Sequence, residues 1–254
     1  MLSAILVLVL LWALGDLRSR RARNDWQQSV NVAVILVTRD DIANTTVEAL
    51  RARLPTLESI LAREASRHGL QTVPFQFFFF GPTRAGAPPR PPADDGLWSL
   101  AVHGYRQWRY LSAIDDDLDL DASVWDSRVY LVARRPQSDY VQFVEGYGQD
   151  GGRIGVVEVE LTKAMIDPVL AVAIHELFHT LGAHDRYGAD GRAKLPEGLA
   201  RPNESPRFPQ THVEVMTRGR PLDGRGHEAD LEHLEELGVG PQTAREIGWL
   251  PNDD

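Results

Sequence analysis

The sequence predicts an α/β or α+β fold. Three observations carry this: residues 30–37 are a β-branched apolar run and residues 70–80 end in four phenylalanines, residues 45–68 between them have helical periodicity, and further strand patterns precede an almost wholly apolar helix at 168–181. With 254 residues, 43% hydrophobic and 25% charged, the chain suits one large or two small globular domains with a sizeable core. A net charge of −9 and a pI near 5.4 argue against nucleic-acid binding. Cysteine is absent, so there are no disulfides, and any metal must be held by His, Asp or Glu.

Residues 2–15 are almost wholly apolar and are followed by Arg18, Arg20, Arg21 and Arg23. The run is shorter than the roughly 20 residues that span a bilayer, yet it has no polar face to suit a core helix. Its basic residues follow it rather than precede it, unlike a cleavable signal. Residues 1–17 therefore read as an uncleaved membrane anchor of open orientation. The alternative is a signal for secretion or periplasmic export, since Ala13-Leu14-Gly15 has the form of a cleavage site. Residues 18–29 read as a polar tether and 30–254 as the folded domain.

The run at 30–37 (VNVAVILV) lacks alternation, as expected of a strand covered on both faces. Residues 45–68 place Val47, Leu50, Leu54, Leu57, Ile60 and Leu61 on one helical stripe, with Pro55 expected to kink or divide it and Gly69 to end it. A second strand at 70–80 ends in four phenylalanines, and 81–96 is a Pro/Gly-rich loop. Residues 97–113 are helical, with Trp98, Val102, Tyr105 and Trp108 expected to pack on the sheet. The acidic run 115–121 fails the EF-hand template, because counting from Asp117 puts Ala122 where Gly is needed and Arg128 where Glu is needed. It is expected to be a solvated turn. Strands follow at 128–133 and 153–161, with an edge strand or loop at 140–144 and a glycine-rich turn at 146–152.

Asp167 as N-cap and Pro168 at the first helical position open a helix over 168–181 that is apolar almost all round, and so must be buried. Its polar exceptions are His175, Glu176 and His179, an H-E-x-x-H pattern. The two imidazoles, at i and i+4, share one face and can close on a single Zn²⁺. Glu176 is placed to reach a water on that metal rather than to ligate it. Gly182 permits a positive-φ exit from the helix, which would return Asp185 as a third, oxygen ligand. The adjacent His184 is the alternative.

The full pattern H-E-x-x-H-x-x-G-x-x-D resembles the metzincin clan of zinc metallopeptidases, in the Asp variant of snapalysin-like enzymes. The stretches HELFHTLGAHDRYG, LPEGLARPNESPRFPQ, VEVMTRG and TAREIGW also resemble a group of uncharacterised bacterial proteins with an H-E-L-x-H-T-L-G-A-x-D-x-Y core, over about residues 98–250. Metzincins commonly have His where Asp185 stands. The resemblance implies a zincin-like twisted mixed sheet packed on the zinc-binding helix (30–182) and a smaller irregular subdomain (183–254). It also implies a methionine turn at Met216 and one catalytic Zn²⁺ on His175, His179 and Asp185. Within the subdomain, 185–216 is expected to be loop, 230–237 a short acidic helix and 241–249 a last turn. The expected activity is that of a zinc-dependent endopeptidase (a metalloprotease), with Glu176 as general base and Tyr187 as hydrogen-bond donor to the oxyanion. Its substrate is a peptide or protein that can add to an edge strand near 140–160. Two other classes stay open: a zinc hydrolase of another substrate, and a non-catalytic or single-partner zinc-binding module tethered at a membrane. Glu176 counts against the idle module, since a structural site needs no base.

Overall fold

A computed structural model describes residues 23–90, 92, 96–136, 144–148 and 152–251. The expected anchor, residues 1–17, lies outside them; among the described residues no helix is long and apolar enough to cross a membrane. The elements of the main body are β1 (Val30–Thr38), α1 (Asn44–Arg67), β2 (Phe75–Arg84), α2 (Leu97–Asp117), β3 (Ser127–Arg134), β4 (Val144–Gly148), β5 (Ile154–Glu160) and α3 (Ile166–Thr180). They form a five-stranded mixed sheet in the order β2-β1-β3-β5-β4. Four strands are parallel, and β4 alone runs antiparallel, at the edge beside β5.

Unalternating apolar strands follow from helices on both faces. Val32, Val34 and Leu36 of β1 point into a core shared with α1 and α3, through Leu50, Leu57, Leu61, Leu170, Ile174 and Phe178. Ala33, Ile35 and Val37 point to the opposite face and meet Leu111 and Ile114 of α2. Each large side chain buried this way contributes about 1.5–3 kcal/mol, and the two-sided core fixes α3 firmly beneath β5 and β4.

Several expectations are corrected. Of the expected tether at 18–29, residues 18–22 lie outside the described residues and 23–29 pack on the domain. Arg23 donates to the Gly152 carbonyl at 2.8 Å and Asn24 to the Leu181 carbonyl at 2.8 Å, while the indole of Trp26 is buried and donates to the Ile247 carbonyl at 2.7 Å. Polar composition misled here because these side chains satisfy backbone carbonyls of the domain. Pro55 does not divide α1; it lies on the exposed face, where the carbonyl it leaves without a donor can reach water. Trp98, Tyr105 and Trp108 are exposed rather than packed on the sheet, because only the last turns of α2 reach it, through Leu111, Ile114 and Asp115. Asp115 is correspondingly no solvated turn residue: it is buried, with Arg128 and the Tyr130 hydroxyl as partners. Asp167 is not an N-cap. It sits inside the first turn of α3 and takes two hydrogen bonds from Arg53, at 2.8 and 2.7 Å, and one from the Leu234 amide at 2.9 Å.

The subdomain after residue 182 has little regular structure. Short pairings join β6 (Val213–Glu214) to β9 (Leu237–Gly238) and β7 (Arg220–Pro221) to β8 (Glu228–Ala229), and a six-residue helix α4 (Pro241–Glu246) closes it. The acidic helix expected at 230–237 is only a single 3₁₀ turn, Leu234–Glu236. Trp249 is buried, edge-on to Trp26 and Phe178, and seals the subdomain to the main core.

Candidate metal centre

The apolar residues of α3 lock its position, and the helix therefore carries His175, Glu176 and His179 to the boundary between the two parts of the chain. Gly182 adopts φ +94°, as a helix exit of this kind requires. The chain then doubles back: the Ala183 carbonyl accepts the Nδ1 proton of His179 at 2.9 Å, and Asp185 reaches both imidazoles. On the other side, the turn at Glu214–Thr217 lies against His175. The Val215 carbonyl accepts the His175 Nδ1 proton at 2.9 Å, and Met216 is wholly buried within that turn.

These two hydrogen bonds fix the tautomers. A carbonyl oxygen can only accept, so each Nδ1 carries its ring's proton and each Nε2 presents a lone pair. The Asp185 Oδ1 atom lies 3.1 Å from Nε2 of His175 and 3.2 Å from Nε2 of His179, is itself buried, and accepts no hydrogen bond. One ligand atom from each of the three residues lies within 4.8 Å of the others. Three convergent acceptors with nothing to share repel one another unless a cation or a proton stands among them. Burial alone would push the His175 imidazole down, but the Asp185 and Glu176 carboxylates reverse this and raise it. Burial pushes Asp185 up, but the two histidines outweigh it and hold its carboxyl at about 2. Both shifts report the same local demand for positive charge. Two imidazoles and a carboxylate make a donor set suited to zinc.

His184, the alternative ligand, is not brought to this group. It is exposed, and both its amide and its Nδ1 face Glu246 on α4, at 3.1 Å each. Tyr187 stacks on His175 with ring centroids 6.2 Å apart. Burial, and then the neighbouring Asp185 carboxylate, raise its phenol, partly offset by Arg218.

Glu176 is buried beneath the edge of the sheet. A Cβ added at Gly146 would lie 2.7 Å from its Cγ and Cδ and closer still to Oε1, and one at Gly155 would lie 3.0 Å from its Cβ. The two glycines thus form the cradle that accommodates this side chain. Gly146 is read from sequence as part of a turn, yet it lies inside β4, where the missing side chain makes room rather than bending the chain. Glu214 belongs to no motif that the sequence shows. It is fully buried, its carboxyl pushed up by that burial, and it accepts from the Met216 amide at 2.6 Å and the Gly240 amide at 3.2 Å. It therefore pins the turn that orients His175. The visible signal was an acidic residue between the apolar Val213 and Val215, just before Met216.

No protein-family model matches the chain, and no curated protein matches it in sequence. Among solved structures it is similar to an archaemetzincin from Methanopyrus kandleri, at 15% identity and a TM-score of 0.38, over 86% of this chain and 93% of that one. It is also similar to OgpA from Akkermansia muciniphila. A catalytically inactive form bound to an O-glycopeptide gives 12% identity and a TM-score of 0.41, and the wild type 13% and 0.41. The match covers 85% of this chain but 58% of OgpA.

Proposed function

We propose that the chain is a zinc-dependent endopeptidase, with one Zn²⁺ held by His175, His179 and Asp185 and with Glu176 as general base. The observation that carries this is the convergence of two Nε2 lone pairs and a buried carboxylate oxygen on one point, with both Nδ1 protons turned away onto backbone carbonyls. When bound there, zinc supplies Lewis acidity to a scissile carbonyl and lowers the pKa of a water toward 7.

The protein's own groups do the rest. Glu176, held by its glycine cradle, accepts a proton from the attacking water at its carboxylate and passes it to the leaving amine. The carbonyls of Val215 and Ala183 hold the imidazoles in the ligating tautomer. Tyr187, stacked on His175, presents a phenol that can donate a hydrogen bond to the developing oxyanion. An extended peptide would add along β4, the antiparallel edge strand beside α3.

The test pairs wild type with Glu176→Gln and measures bound zinc and peptide-library cleavage in each. Zinc retained in both, with cleavage lost in the variant, is the expected result. Protein purified without chelator that holds no zinc, or a Glu176→Gln variant as active as wild type, would sink the proposal.

A further inference from the structure

Arg218 is the exposed residue in an otherwise pinned segment. On one side Thr217 is buried, its hydroxyl donating to the Glu214 carbonyl at 2.7 Å. On the other, Gly219 is buried against Glu228 and Ala229. The backbone at Arg218 is thereby fixed on the turn that holds His175. Its guanidinium carbon lies 4.5 Å over the centroid of the Tyr187 ring, which in turn stacks on His175. The Tyr187 ring thus touches both the exposed Arg218 guanidinium and the His175 imidazole. Gly191, at φ +78°, lies beside it: an added Cβ would sit in ordinary contact, 3.8 Å from Arg218 Cδ and Nη1.

Among the described residues no carboxylate forms an ion pair with Arg218, and its partner is the Tyr187 phenol. A divalent cation held by His175, His179 and Asp185 would offset the Asp185 and Glu176 charges, so these carboxylates would not repel a substrate carboxylate brought to Arg218. A planar guanidinium lying over an aromatic ring keeps most of its N–H donors available, and their forked geometry matches a carboxylate.

We propose that Arg218 is a specificity-determining residue that selects substrates carrying a carboxylate side chain beside the scissile bond. This rests on the endopeptidase reading above and deepens it.

The experiment uses matched fluorogenic peptides with Glu, Gln or Lys at each position flanking the cleaved bond, and reads the Glu/Gln ratio of kcat/KM within each variant, so that a general loss of activity cancels. One charge-assisted pair at a partly exposed site corresponds to about tenfold in that ratio. Wild type is expected to prefer Glu to Gln by about that factor at one position. Arg218→Ala should bring the ratio near unity, and Arg218→Glu should favour Lys instead. In parallel, anisotropy binding of the same peptides to zinc-loaded Glu176→Gln, with and without Arg218→Ala, reads recognition without turnover. A Glu preference that survives Arg218→Ala, or wild type that shows none at any position, overturns the proposal. Wild type that cleaves no peptide overturns the endopeptidase reading instead, while the binding arm still reports on Arg218.

Discussion

Replacing Gly146 by alanine places a methyl carbon 2.7 Å from Cγ and Cδ of Glu176, where unstrained carbons rest about 3.5–4.0 Å apart. Something must move by about 1 Å to restore that separation. The backbone at Gly146 is not left-handed, so alanine meets no conformational penalty in β4, and a strand glycine replaced by alanine is ordinarily stabilised by about 0.5–1 kcal/mol. The conflict therefore falls on the Glu176 carboxylate. Displacing a catalytic group by about 1 Å costs roughly 100-fold in rate, equivalent to about 2.7 kcal/mol of transition-state stabilisation. Gly155→Ala, at 3.0 Å from the Glu176 Cβ, should show the same defect in milder form. The assay is kcat/KM on a cleaved peptide, alongside zinc content and thermal unfolding. Zinc and stability should hold near wild-type values while activity falls. A Gly146→Ala protein that keeps its zinc and works within about threefold of wild type would refute the claim that Glu176 acts from this cradle.

Acid should loosen the subdomain from α1. Glu64 is buried, which opposes its ionisation, but hydrogen bonds from Arg201 at 2.9 Å and the Val239 amide at 2.8 Å, with Arg67 nearby, hold its carboxyl below the ordinary value. A depressed folded pKa means its contribution is complete above the unfolded value of about 4.3 and is lost as pH falls through the folded one. Melting temperature should drop in that window for wild type and less steeply for Glu64→Gln. At neutral pH that variant should be about 3 kcal/mol less stable, since Arg201 stays buried without its counter-charge; equal pH profiles would count against this. Metal removal should also destabilise the fold. At a free zinc concentration of about 1,000 times Kd, binding contributes about 4 kcal/mol, so chelator should lower the melting temperature of wild type but not of His175→Ala. An unchanged melting temperature on stripping zinc from wild type would show that the three acceptors do not need it.

What could be read along the chain was whatever short-range periodicity encodes. The sheet strands with covered faces, the buried helix, the i, i+4 histidines, and the positive-φ exit at Gly182 all depend on residues within a few positions of one another. Their roles follow from local geometry and from the burial that apolar composition demands. Tertiary structure alone decided which partner each polar group found. Asp185 rather than His184 faces the imidazoles, while His184 turns outward to Glu246, 62 residues away. Trp26 and Arg23 join the core because carbonyls at Ile247 and Gly152 await their donors. Trp98 and Trp108 stay exposed because α2 touches the sheet only at its far end. The H-E-x-x-H helix itself was evident from sequence, but its setting was not. The Val215 carbonyl that fixes the His175 tautomer and the glycines that make room for Glu176 come from distant segments, and a side-chain void or a backbone oxygen leaves no periodic mark on the sequence.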